Sequence, residues 1–78
     1  MGQIIIKYES MKFRKRREKW GEIYWEVKDH KCNMVRGTIR LYGNTPKQRW
    51  LFSKGNGMLF SSLGLRDISN FIDKLNNS

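Results

Sequence analysis

The chain has 78 residues, with 16 Lys plus Arg against 7 Asp plus Glu and a formal net charge of +9. That length allows one domain, 1–78, and 13% aromatic residues can build a small core, which argues against wholesale disorder. One Cys excludes an intramolecular disulfide framework, and no apolar run approaches the roughly 18 residues of a membrane span.

Residues 3–60 read as strand-rich. Gln3-Ile4-Ile5-Ile6-Lys7-Tyr8 is rich in β-branched side chains, and it lacks the length and flanks of a signal peptide. Residues 11–19 continue as a second strand with Met11 and Phe13 on one face. A run of cations overlaps it: Lys12, Arg14, Lys15, Arg16, Arg17 and Lys19, broken by Phe13 and Glu18. Residues 20–28 alternate most clearly. Ile23, Trp25 and Val27 point one way, and Glu22, Tyr24, Glu26 and Lys28 the other. Lys28 to Asn33 is a polar turn.

Residues 34–42 alternate again. Val35, Ile39 and Leu41, with Gly37 between them, share one face; Met34, Arg36, Thr38, Arg40 and Tyr42 share the other. Gly43-Asn44-Thr45-Pro46 is a turn signal. Residues 47–53 form a short strand with Gln48, Trp50 and Phe52 opposite Arg49 and Leu51. Lys54-Gly55-Asn56-Gly57 has the chemistry of a tight hairpin, with Met58 to Phe60 returning as a last strand.

The period then changes. Leu65, Ile68, Phe71, Ile72 and Leu75 recur at spacings of three and four, the pattern of an amphipathic helix over about 64–76. Ser61, Ser62 or Gly64 is placed to cap its start, Asp67 to favour its first turn and Lys74 its last. The expected fold class is therefore α+β: an antiparallel β-meander of four to six short strands packed on one C-terminal amphipathic helix. The helix stripe needs an apolar partner, and the Ile23/Trp25/Val27 and Val35/Ile39/Leu41 face supplies it. The opposite face is then free. This meander-then-helix order resembles the layout of small single-strand-binding transcription coactivators and Pur-type domains. That likeness is one of topology and transfers no residue. It implies a curved sheet that binds nucleic acid and a helix that can also pair with a second copy as a homodimer.

Charge is distributed unevenly. Residues 1–54 hold 14 basic and 5 acidic side chains, a net of +9, whereas residues 55–78 balance Arg66 and Lys74 against Asp67 and Asp73. The free face brings together Tyr24, Lys28, Arg36, Thr38, Arg40 and Tyr42. Loops add Lys31, Lys47 and Arg49, and the N-terminal run adds Arg14, Arg16 and Arg17. Cations neutralise phosphates with release of counterions, and exposed rings stack on unpaired bases. The expected nucleic-acid site is thus Arg14, Arg16, Arg17, Tyr24, Lys28, Arg36, Arg40, Tyr42, Lys47 and Arg49, with single strands preferred over duplex. Glu22 and Glu26 on that face reduce its charge.

Catalytic and metal-binding patterns are weak. His30-Lys31-Cys32 lacks the second cluster that a zinc site needs. Glu22 and Glu26 stand roughly 13 Å apart along a strand, too far for paired carboxylate chemistry. The glycines at 55 and 57 open no phosphate loop. The sequence thus predicts a non-catalytic protein with no cofactor and no metal, in the cytoplasm or another intracellular compartment. The alternative expectation is a small protein-binding regulator or inhibitor docking on an acidic surface of a nucleic-acid enzyme or polymerase. Trp20 and Trp50 would serve as its interface anchors. Contact of the Lys12–Lys19 run with an anionic membrane surface is a third reading, disfavoured because the helix has no cationic face.

Overall fold

A computed structural model describes residues 4–43 and 47–77. The expected strand start at residue 3, the centre of the Gly43–Pro46 turn and the tail residue Ser78 lie outside the described residues. The elements in chain order are β1 (Ile5–Lys7), β2 (Met11–Arg17), β3 (Ile23–Asp29), β4 (Val35–Tyr42), β5 (Arg49–Lys54) and α1 (Ser62–Asn76). The five strands form one antiparallel sheet in the order β1-β2-β3-β4-β5, and α1 packs across one face. This is the expected α+β meander with a C-terminal helix.

The core is aromatic. Phe71 of α1 stacks on Phe13 of β2, with centroids 4.2 Å apart and planes 11° from parallel. Trp25 meets the same Phe71 ring edge-on at 4.8 Å, and Tyr8 closes on Phe13 at 5.4 Å. Met11, Val27, Ile39 and Ile68 complete the buried cluster. Fully burying side chains of this size contributes about 1.5–3 kcal/mol each, and ring geometry adds about 0.5–1.5 kcal/mol per pair.

Polar contacts hold the helix at both ends. Ser61 is the N-cap, and its Oγ accepts a hydrogen bond from the Gly64 N–H at 3.1 Å. The sequence places Asp67 to act on the helix dipole in the first turn. Instead it is buried, and its Oδ2 accepts from the backbone N–H groups of Ser10 (2.7 Å) and Met11 (3.1 Å). One carboxylate thus ties the middle of α1 to the β1–β2 turn. At the other end, the Asn76 amide pairs with both backbone groups of Trp50. Its Oδ1 accepts from Trp50 N–H at 2.8 Å and its Nδ2 donates to Trp50 C=O at 3.3 Å. The side chain imitates a strand on the outer edge of β5.

The expected last strand at Met58–Phe60 does not form. Gly55 N–H still donates to the Arg36 C=O of β4 at 2.9 Å, and Arg36 Nη2 donates to the Leu59 C=O at 2.6 Å, so the segment is tied to β4. The chain instead turns at Gly55–Met58, with Gly57 at φ +72, and lays Phe60 edge-on against Phe52 at 5.4 Å. Phe52 in turn lies over Gly37. A Cβ on Gly37 would stand 2.5 Å from the Phe52 ring, so only glycine lets the ring close on the sheet.

Three expected core positions are not core: Val35, Leu65 and Leu41, the last of these 41% exposed near the end of β4. Between Val27 and Lys28 the β3–β4 register shifts by one, so Val27 faces Gly37 while Lys28 faces Val35. A one-residue shift moves a side chain to the other face. Val35 is accordingly 40% exposed beside a lysine. Leu65 is likewise exposed, because the buried stripe of α1 runs through Gly64, Asp67, Ile68 and Phe71.

Asp67→Ala removes the acceptor from two backbone N–H groups, one of them buried. It is expected to lower unfolding free energy by about 2–3 kcal/mol, measured by urea denaturation. Asp67→Asn keeps an acceptor oxygen and is expected to lose about half as much.

Candidate nucleic-acid interface

The sheet face away from α1 is organised in three cross-strand rows. Paired residues in an antiparallel sheet point to the same side, so the register lists what each row presents. The first row is Lys7, Lys12, Lys28 and Val35. The second is Ile5, Arg14, Glu26, Thr38 and Ser53. The third begins with Arg16 and Tyr24 and continues through Arg40 and Leu51, with Tyr42 and Arg49 paired at the end.

Of the residues expected at the site, Arg14, Arg16, Tyr24, Lys28, Arg40, Tyr42 and Arg49 share this face. Lys47 is exposed in the loop before β5. Arg17 does not join them. It pairs with Ile23 on the helix side of the sheet, as Lys15 pairs with Trp25. The pleat therefore divides the basic run, sending Lys12, Arg14 and Arg16 one way and Lys15 and Arg17 the other. Arg36 does not join them either. Its Nη2 donates to the Leu59 C=O at 2.6 Å, its Nη1 lies 3.5 Å from Asp29 and its guanidinium sits 5.3 Å from the Phe60 ring centre. Arg36 holds the segment after β5 in place.

Arg40 is also engaged. It is hydrogen-bonded to Glu18 and lies over the Tyr24 ring at 4.4 Å. The hydrogen bond to Glu18 raises the Arg40 pKa further above its already high ordinary value, against the opposing effect of burial. Arg40 is permanently charged, and one face of Tyr24 is covered. Tyr42 is exposed.

Glu26 is the carboxylate among the described strand residues of this face. Its Oε1 lies 3.7 Å from Lys28 Nζ and 3.9 Å from Arg16 Nη1, too far for hydrogen bonds. That oxygen is buried without a hydrogen-bond partner among the described residues, as is Arg14 Nε. One carboxylate is spread over several cations.

Lys7 and Lys12 are not among the expected site residues; Lys12 is legible as an even-numbered neighbour of Arg14 on β2, whereas Lys7 joins the face only through the β1–β2 register. Trp20, whose role the sequence left open, is 86% exposed in the β2–β3 turn, and Trp50 packs half-buried against the core. Among the described residues no helix is long and apolar enough to cross a membrane. No protein-family model, curated protein or solved structure matches the chain.

The lysine row is a cost to the fold, because like charges directly opposed on a sheet repel. Screening relieves that cost. Raising NaCl from about 20 to about 300 mM is expected to raise the thermal midpoint by about 4–8 °C, corresponding to about 1 kcal/mol of repulsion in a domain of this size. Differential scanning calorimetry measures this directly.

Proposed function

We propose that this protein binds nucleic acid without catalysis, single strands in preference to duplex, along the sheet face opposite α1. The observation that carries the proposal is the pair of adjacent rows holding Lys7, Lys12, Lys28 and Arg14 around a single carboxylate. Such a face costs folding free energy and gains it back when an anionic chain displaces counterions. Lys12, Arg14, Arg16 and Lys28 contact phosphates. Arg49 and Lys47 extend the track towards β5. Tyr42 is the ring open to an unpaired base, a contact that contributes about 1–3 kcal/mol. Tyr24 acts with Arg40 as a fixed stacked pair at the side of the track. Arg36 and Arg17 support the fold and its solubility and are outside the interface.

Docking on an acidic protein surface is the second reading, favoured by Trp20, an indole exposed beside Lys19 in a turn. Large exposed aromatics flanked by cations are common interface anchors.

Fluorescence anisotropy with labelled single-stranded DNA, single-stranded RNA and duplex DNA separates the two. The expected result is micromolar or tighter binding of single strands. Log K should fall against log salt with a slope near −3, the value for about four phosphates on a single strand. Lys12→Gln with Arg14→Gln should weaken binding by at least about tenfold and flatten the slope, while Lys74→Gln on α1 leaves it unchanged. Absent oligonucleotide binding at low salt, with Trp20-dependent capture of an acidic protein, would overturn the proposal in favour of the second reading.

A further inference from the structure

The basic face is not flat. A depression of about 370 Å³ opens between β1, β2 and β3, lined by Ile5, Lys12, Arg14, Lys28 and Asn33. Three cations converge on it from two neighbouring rows. Lys28 is only 9% exposed, and Lys12 stands directly across from it in the register. Lys12 Nζ is steered by a hydrogen bond to Asn33 Oδ1 at 3.1 Å, so the loop before β4 fixes one wall. Arg14 Nε is buried without a hydrogen-bond partner among the described residues. The nearby carboxylate, Glu26, reaches Lys28 only at 3.7 Å and is shared with Arg16.

The depression also lies at an end of the face. Beyond the Lys7–Lys12–Lys28 row the strands stop. β1 ends at Lys7, β2 begins at Met11 and β3 ends at Asp29. Three convergent cations exceed the single charge of an internal phosphodiester. A terminal phosphate monoester carries about −1.5 to −2 at neutral pH and offers three acceptor oxygens. It matches both the charge and the position.

We propose that this depression is a subsite for the terminal phosphate of a nucleic-acid strand, held by Lys12, Arg14 and Lys28, with Ile5 against the adjoining sugar. This rests on the nucleic-acid reading above and deepens it. The strand would then run from this end across Arg16 towards Tyr42 and Arg49.

Two titrations test it, one of them without nucleic acid. In calorimetry at constant ionic strength, inorganic phosphate is expected to bind the full chain saturably, one per chain. Binding should be lost in Lys28→Met and in Arg14→Gln, and kept in Arg49→Gln. No heat beyond a matched chloride control would overturn the subsite. In the second titration, a 5′-phosphorylated single strand and a 3′-phosphorylated one are each compared with the same strand ending in hydroxyls. One phosphorylated end is expected to bind about tenfold tighter; Lys28→Met should erase that difference between the strands, while Lys74→Gln on α1 keeps it. Equal affinity of all three strands would overturn the terminal-phosphate assignment with the nucleic-acid reading intact. Failure of every strand to bind would overturn the nucleic-acid reading itself. Circular dichroism of both variants establishes that they fold, and two independent substitutions guard against loss of one.

Discussion

The stack of Phe71 on Phe13 decides which face of the sheet is covered. Phe13 lies mid-strand in β2, one row from Trp25, and Phe71 reaches both rings from α1. The described residues hold one helix for a five-stranded sheet. Burying the helix stripe on the odd-numbered side of β2 and β3 commits the even-numbered side to solvent or to a partner. Two polar clamps keep this choice fixed. Asp67 holds the β1–β2 turn, and Asn76 occupies the Trp50 backbone at the β5 edge. The second clamp also shields an edge that would otherwise be free to pair with another strand.

The uncovered face and the covered one obey different rules. On the helix side, apolar pattern, ring geometry and glycine spacing agree, as in the Gly37–Phe52–Phe60 succession. On the other side, Lys12 faces Lys28, and one buried carboxylate oxygen is left between cations. Local conflict of this kind, in an otherwise consistent fold, is what the proposed binding role of this face accounts for. Arg36 and Arg40 show the contrast within one strand. Both are basic and both are held by a carboxylate and an aromatic ring of the same chain, whereas Lys12 has a neutral amide as its hydrogen-bond partner.

Much of this architecture was legible in the residues. The alternation of Ile23 to Val27 marks β3, and the three-and-four spacing of Ile68, Phe71, Ile72 and Leu75 marks the helix. The basic character of the opposite face follows from Arg14, Arg16, Tyr24 and Lys28 by simple parity. What stayed hidden depends on pairing between distant segments. The register shift that exposes Val35 belongs to β3 and β4 jointly. Asp67 looks like a dipole partner until the β1–β2 turn is placed beside it. Arg17 reads as one cation among many, yet parity across β2 sends it to the wrong side. Arg36 reads as a face residue because its partners, Leu59 and Phe60, lie more than twenty positions away. The concavity at Lys12, Arg14 and Lys28 needs three strands and a loop together, and no single segment contains it.

The central claim is that the sheet face opposite α1 is the binding surface. Backbone amide chemical-shift mapping by NMR, with a short single-stranded oligonucleotide added at low salt, tests it most directly. The account predicts progressive shifts at Lys12, Arg14, Arg16, Lys28, Tyr42 and Arg49, with Arg66, Ser69, Asn70 and Asp73 on the outer side of α1 unmoved. Shifts concentrated on α1 or in the Trp20 turn, with β2 and β3 unperturbed, would contradict it.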